Sequence, residues 1–310
     1  MGKAIREVYG EALAKYGKDD ERIVALDADL SGSTKSAIFG KACPERFLNV
    51  GIAESNMVGM AAGLASVGKI PFVNTFTVFL TTLGLCAARA FGSYSQLPIK
   101  FAGAYGGMSD AFDGPSHHAL EDIAVMRSLA NMQVFVPCDA VQTEWLVKYA
   151  IDTPKPIYLR LSRDKFKDLY TSETEFAPGK GIVVREGTDI TVIACGLMVG
   201  NAIDAAEELA KEGISVRVVD MFSIKPIDEA LIVRCAEETG AIVSAEEHNI
   251  YGGLGSAVAE VLTKHGCGVT QGFVGVNDCH GECGPYKKLL AKYGLDANAI
   301  ANKVRETLAK

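Results

Sequence analysis

Short apolar, β-branched runs alternate with longer stretches of helical periodicity along almost the whole chain. An amphipathic pattern predicts a helix over residues 3–16. RIVAL (22–26) then reads as a strand that opens into a polar turn, 27–34. A strand over 47–50 is followed by a helix rich in small residues, 54–66, and by a strand over 70–75. A long helix is expected over 79–94, a strand over 99–104, a Gly-rich loop, and a helix over about 118–129. A strand over 133–136, a helix over 140–151 and a strand over 156–161 complete this half. Alternation of strand and helix in this manner argues for a parallel sheet covered on both faces.

The pattern lapses over 164–180, DKFKDLYTSETEFAPGK, which reads as a linker. A second set follows, with strands at 182–185, 190–194, 216–220, 241–245 and 270–276. Its helices are expected over 199–211, 229–238, 256–265, 286–293 and 298–308. The expectation is therefore an α/β chain of two domains, 1–163 and 181–310, each a mostly parallel sheet with helices on both faces. A length of 310 residues with 48% hydrophobic content is enough for two such cores.

Charge and cysteine usage narrow the function classes. The net charge is −7 and no Lys/Arg cluster occurs, so nucleic acid has no electrostatic footprint here. No 18-residue apolar run appears and the N-terminus lacks a signal-peptide core, which makes a soluble cytoplasmic protein the default. The eight cysteines are scattered, several inside apolar runs where a reduced thiol acts as a small hydrophobe. Cys279, His280 and Cys283 cluster, but their spacing matches no structural zinc pattern and a second ligand pair is missing, so no metal is assigned to them.

Candidate chemistry gathers at strand ends. In Asn49–Asn56, NVGIAESN, a strand runs through a Gly51 turn into a helix, placing the Glu54 carboxyl at the junction. Ligands of open α/β sheets collect at the carboxyl ends of strands, and a carboxyl in a partly dry crevice can exchange protons. Other strand ends carry Asp29, Ser31 and Ser33; Phe76 and Phe79, three apart; Tyr105 to His118, including Asp113 and His117; and Arg160 to Arg163. Each has a bland reading as core, turn or solvated strand end, but one crevice would collect them all.

These segments resemble the C-terminal half of the transketolase family, its pyrimidine-binding domain followed by its C-terminal domain. NVGIAESNMVGMAAGLA is similar to the segment carrying the cofactor-activating Glu, and FVNTFTVFL to the segment of the aromatic pocket. DGPSHH is similar to a DGPTHQ-like loop and RLSR to a phosphate-binding Arg segment. EEHNIYGGLGSAVAE and GECGPYKKLLAKYGLDA extend the likeness through the second domain. The resemblance implies thiamine diphosphate as cofactor, with Mg²⁺ at its diphosphate. Glu54 would hydrogen-bond the pyrimidine ring nitrogen and favour the imino tautomer, so that the cofactor removes its own thiazolium proton. Phe76 and Phe79 would pack on the pyrimidine, with Asp29 nearby. Asp113 and His117 would contact substrate hydroxyls, and Ser33 and Arg163 the sugar phosphate.

The family binds the diphosphate through an N-terminal domain with a GDG motif and a downstream Asn. This chain has no GDG. The expectation is thus a partner subunit that holds diphosphate and metal, in an α2β2 assembly acting on sugar phosphates. Two positions depart from the family: Tyr105 replaces a common His at the phosphate end, and Thr82 replaces an aromatic of the pyrimidine pocket. Two other readings compete. A 2-oxo acid dehydrogenase E1 β subunit shares the layout and the Glu, but has no use for the DGPSHH and RLSR contacts. A non-enzymatic relative would not need Glu54, Asp113, His117 and Arg163 together.

Overall fold

The computed structural model of the chain describes residues 2–310, and its elements follow the alternation of apolar runs closely. Twelve strands occur among the described residues: β1 Ile23–Asp27, β2 Phe47–Asn49, β3 Ile70–Phe76, β4 Lys100–Ala104, β5 Gln133–Phe135, β6 Ile157–Leu161, β7 Ile182–Arg185, β8 Ile190–Ala194, β9 Val216–Asp220, β10 Ser223–Lys225, β11 Ala241–Asn249 and β12 Thr270–Val276. They form a seven-stranded sheet of order β10-β5-β6-β4-β3-β1-β2 and a five-stranded sheet of order β12-β11-β8-β9-β7. Both are parallel except for β10 against β5 and β7 against β9. The α/β class with two mostly parallel, helix-covered sheets is the architecture expected from the pattern.

Three local expectations fail for physical reasons. The stretch 79–94 is not one helix. It breaks into Thr77–Thr82, Leu85–Ala87 and a wide π turn over Ala88–Tyr94. Gly84 marks the break, and a Cβ there would lie 2.7 Å from the Leu80 carbonyl oxygen. The helix expected from about 118 starts only at Asp122, because the chain from Tyr105 to Glu121 is used as an irregular loop. The second set also carries a strand that the apolar pattern does not predict. After β9 the chain crosses back, and Ser223–Lys225 pairs with β5 at the edge of the first sheet.

This crossing makes the two halves one packed body. A single apolar core runs through Ile123, Met126, Val134 and Val136 of the first half and Ile193, Ile224, Leu254 and Val258 of the second. The buried charges centred on Arg160 at the seam are paired, as their desolvation requires. Arg160, at the end of β6, donates from Nε and Nη2 to Asp122 (2.7 and 3.0 Å) and from Nη2 to the Glu247 carbonyl at 2.9 Å. Tyr158 donates to the same Asp122 at 2.6 Å. Burial alone would raise the Asp122 carboxyl, but the Arg160 guanidinium outweighs it and holds the group below the usual carboxylate range.

Glu247 carries the seam's pH response. Its Oε1 accepts the Met108 N–H at 2.7 Å, and complete burial pushes its carboxyl up to about 7 although Arg160 pulls the other way. An unfolded Glu titrates near 4.5. Between these values the folded chain binds the additional proton, so stability from this group is full below about 4.5 and is lost as pH rises through 7. Glu247→Gln keeps an acceptor for Met108 and carries no charge. It is expected to match the wild type at pH 4.5 and to be more stable at pH 8 by about 3 kcal/mol. Paired thermal or urea unfolding at the two pH values measures this, and an equal difference at both would contradict it.

Candidate active site

The five contiguous strands β6-β4-β3-β1-β2 are all parallel, so their carboxyl ends share one edge. From β1 the chain steps outward to β2 and then returns to β3 on the other side, a reversal of direction that opens a crevice. The candidates that follow β1, β2, β3, β4 and β6 in the chain emerge at this edge.

Glu54 opens the helix Glu54–Ser66, reached from β2 through the left-handed Gly51 (φ +75°), where a Cβ would be strained. Only 3% of Glu54 is exposed. Thr75, fully buried in β3, donates to its Oε1 at 3.1 Å. Glu54 lines a cavity of about 230 Å³ with Ala28, Asp29, Leu30, Ile52, Phe79 and Leu83. Asp29, also left-handed at φ +65°, accepts from Asn49 Nδ2 at 2.9 Å, which braces the β1 and β2 ends together. The site therefore has one buried carboxylate in a mostly apolar wall, a setting for a planar heteroaromatic ring that can hydrogen-bond at its edge.

Phe76 closes β3, and Phe79 lies in the helix that starts at Thr77. Their rings stack with centroids 6.0 Å apart. His117 stands edge-on to both, 6.0 Å from Phe76 and 5.4 Å from Phe79. Asp113 is exposed three residues beyond Asp110 in the same loop. Thr82 does not line the Glu54 cavity, and its hydroxyl bonds the Val78 carbonyl one turn back.

The other end of the crevice is cationic. Tyr105 follows β4 at φ +63°, a backbone state that costs a bulky residue about 1–3 kcal/mol. Its ring packs 4.4 Å from that of Phe76, and its hydroxyl accepts from Arg6 Nη1. Two guanidinium groups attend this ring: Arg6 at 5.0 Å and Arg163 at 5.4 Å from its centroid. Arg6 Nη1 also donates to the Ser33 carbonyl at 2.8 Å, and Arg163 Nη1 to Asp110 Oδ1 at 3.0 Å. The site thus unites Glu54, Asp29, Phe76, Phe79, His117, Ser33 and Arg163, with Asp113 at its rim.

Arg6 and Asp110 are not singled out by sequence. Arg6 lies at the start of the helix Ile5–Asp19, whose first N–H groups bond the Ser162 and Asp164 carbonyls and so bring it to the β6 end. A basic residue on an amphipathic helix carries no signal of that. Asp110 had one, its place three residues before Asp113 in a loop already suspected. Cys279, His280 and Cys283 lie on a loop folded over this one: Gly284 N–H bonds the Ala111 carbonyl at 3.0 Å, and a Cβ on Gly114 would strike Cys283 Sγ. Among the described residues no group of three or more His, Cys, Asp or Glu side chains converges on a point, and no helix is long and apolar enough to cross a membrane.

Thr75→Val keeps the shape of β3 and removes the donor to Glu54. It is expected to lower stability by about 1–3 kcal/mol, the cost of a buried carboxylate losing a hydrogen bond. Chemical denaturation reads this directly, and an unchanged midpoint would show that Glu54 does not depend on Thr75.

Comparison with known proteins fits this geometry. Residues 1–168 match the transketolase pyrimidine-binding domain and residues 179–300 the transketolase C-terminal domain. The chain is 42% identical to a Methanocaldococcus jannaschii protein provisionally named transketolase C-terminal section, over 99% of this chain and 97% of that one. It is 39% identical to one of the apulose-4-phosphate transketolase subunits of Phocaeicola vulgatus, over 99% of this chain and 98% of that one. A solved structure described as a split-gene transketolase, inactive β4 tetramer, superposes with a TM-score of 0.91 at 48% identity, covering 100% of this chain and 99% of that one. Human transketolase is 40% identical across 99% of this chain, which spans 49% of its length. With a buried carboxylate beside stacked aromatics at one end of a strand-end crevice and cations at the other, and with both domains matched along nearly the full chain, this protein belongs to the transketolase family.

Proposed function

We propose that the chain is the C-terminal subunit of a split transketolase, transferring a two-carbon ketol unit from a ketose or its phosphate to an aldose or its phosphate. The division into residues 1–163, a linker 164–180 and residues 181–310 is part of this reading. The observation that carries it is the bipolar crevice: Glu54 among apolar groups at one end, Arg6 and Arg163 on Tyr105 at the other. A small 2-oxo acid has no use for two guanidinium groups placed beyond the reacting end, which sets the E1 alternative aside.

The residues around Glu54 fit the aminopyrimidine of thiamine diphosphate. When bound, that cofactor supplies the carbon nucleophile for ketol transfer. Glu54 holds the ring nitrogen edge through a charge-assisted hydrogen bond, made stronger by the dry wall around it. Phe76 and Phe79 supply aromatic surface beside it and Asp29 borders the pocket. His117, held edge-on by both rings, and Asp113 present a donor and an acceptor to substrate hydroxyls. Ser33, Arg6 and Arg163 take the terminal phosphate, where Arg offers a fork of N–H donors. The diphosphate and Mg²⁺ fall to a separate N-terminal chain that carries the GDG motif, in an α2β2 complex located in the cytoplasm. A relative described as an inactive tetramer of β chains supports the need for that second chain.

Three measurements test this reading. Gentle purification of the tagged chain from its host is expected to bring down a GDG-bearing protein at one-to-one stoichiometry, and the complex to turn over ketoses and not 2-oxo acids. In that complex Glu54→Ala is expected to remove turnover while leaving the fold intact, a loss of roughly 10²-fold or more on the scale of general acid–base groups. Arg163→Ala is expected to raise KM for phosphorylated sugars well above its effect on unphosphorylated ones. Full activity of the chain without any partner, or unchanged turnover by Glu54→Ala, would reject it.

A further inference from the structure

Asp110 is the residue at this crevice that the proposed reaction leaves without a role. Its side chain is 1% exposed, yet it is set against a guanidinium whose side chain is 41% exposed, Arg163. The contact is one-sided. Oδ1 takes Arg163 Nη1 at 3.0 Å, while Oδ2 finds no donor among the described residues and the Asp113 carboxyl stands beside it. A buried carboxylate with an unmatched oxygen and a like-charged neighbour is an expensive feature. Asp110 is not the loop's only anchor: the Met108 N–H bonds the Glu247 side chain, and Gly107 and Ala119 exchange main-chain bonds. What it does is place a negative charge against one of the two cations at the far end.

We infer that Asp110 sets the charge preference of this pocket: by holding Arg163 it offsets one of the two guanidinium charges, which weakens the site's preference for dianionic phosphate over sugar ends that are neutral or singly charged. The inference rests on the reading of Arg6, Ser33 and Arg163 as the phosphate end. Among the described residues no acceptor takes Arg163 Nε or Nη2, so the pocket still accepts an anion, but with one of its two guanidinium charges offset. A full unit charge within a few ångströms of a half-buried ligand changes affinity by roughly tenfold or more.

The charge on Asp110 depends on pH. Burial and the Asp113 carboxyl push its carboxyl up to about 6, with Arg163 and His117 pulling it back. Further titratable groups nearby are His118 of the same loop, lowered by its own burial, Arg6 with Tyr105 across the crevice, and Cys279, His280, Glu282 and Cys283 on the loop folded over this one. As pH falls towards 6 Asp110 takes up a proton, and Arg163 is released to meet an anion.

The test uses the assembled complex and one acceptor pair, glyceraldehyde 3-phosphate and glyceraldehyde. Asp110→Asn, and Asp110→Ser as a smaller replacement, are expected to raise the ratio of kcat/KM for the phosphorylated over the plain acceptor by roughly tenfold, through KM and not kcat. A brace without a charge role would lower the ratio or leave it alone, and either result overturns the inference. Inorganic sulfate, a dianion throughout this range, serves as a second probe that needs no variant. Its competitive inhibition of the wild type is expected to tighten several-fold between pH 7.5 and 6, and in Asp110→Asn to lose that part of the pH dependence. Parallel profiles in the two proteins would overturn the inference as well. Arg163→Ala in the same assay separates the two claims: equal effects on both acceptors would remove the phosphate end itself, whereas a selective effect with no change in Asp110→Asn defeats only the role of Asp110.

Discussion

The buried Arg160 guanidinium is the interaction on which the rest of the site depends. It sits at the end of β6 and reaches three elements at once: Asp122, where the helix after the long loop begins, the Ala119 carbonyl just before it, and the Glu247 carbonyl on β11. A fully buried charge is tolerated only when its donors are met, and here the partners come from both halves of the chain. The loop from Tyr105 to Glu121, which carries Asp110, Asp113 and His117, is closed at its far end by this network. Its near end is closed by Met108 bonding the Glu247 carboxylate. A loop of that length would otherwise sample many conformations, so its fixed shape is a property of the seam between the two sheets.

That arrangement explains why the second half matters to a crevice to which it contributes no wall at the Glu54 end. Its apolar core is continuous with the first half, β10 closes the edge of the first sheet, and the 279–284 loop folds over the residues around Asp113. The second half acts as a clamp. Its effect on chemistry passes through the position of the loop.

The crevice itself is graded in polarity. Glu54 meets a buried Thr hydroxyl and apolar neighbours; the middle is aromatic, with Phe76, Phe79 and His117 in mutual contact; the far end holds two guanidinium groups on the Tyr105 ring. Tyr105 joins the middle to the far end, packed on Phe76 while its hydroxyl accepts from Arg6. A His at this position would bring a ring of lesser area and a titratable nitrogen. The Tyr instead gives a fixed platform over which two cations stack, an arrangement that aromatic faces favour electrostatically.

Much of this was legible in the order of residues. Continuous apolar runs and helical spacing settled the α/β class, ten of the twelve strands to within two residues at each end, and the helix that begins at Glu54, because burial on both faces of a parallel sheet writes itself into such runs. The strand ends gave Glu54, Phe76, Phe79, Asp113, His117 and Arg163 as candidates, since such ends meet at one edge in this class of sheet. Other features are decided only by packing across the chain. The three-residue β10 has too few positions to show a period, and its partner lies about ninety residues earlier. Arg6 reaches the crevice because a helix start bonds carbonyls at the end of β6, and the charge of Asp110 acquires meaning only beside Arg163. Local sequence determines which elements form and which side chains stand at their ends. Which of those side chains share a cavity, and with what charge, is settled by contacts between residues far apart in the chain, and no local pattern encodes them.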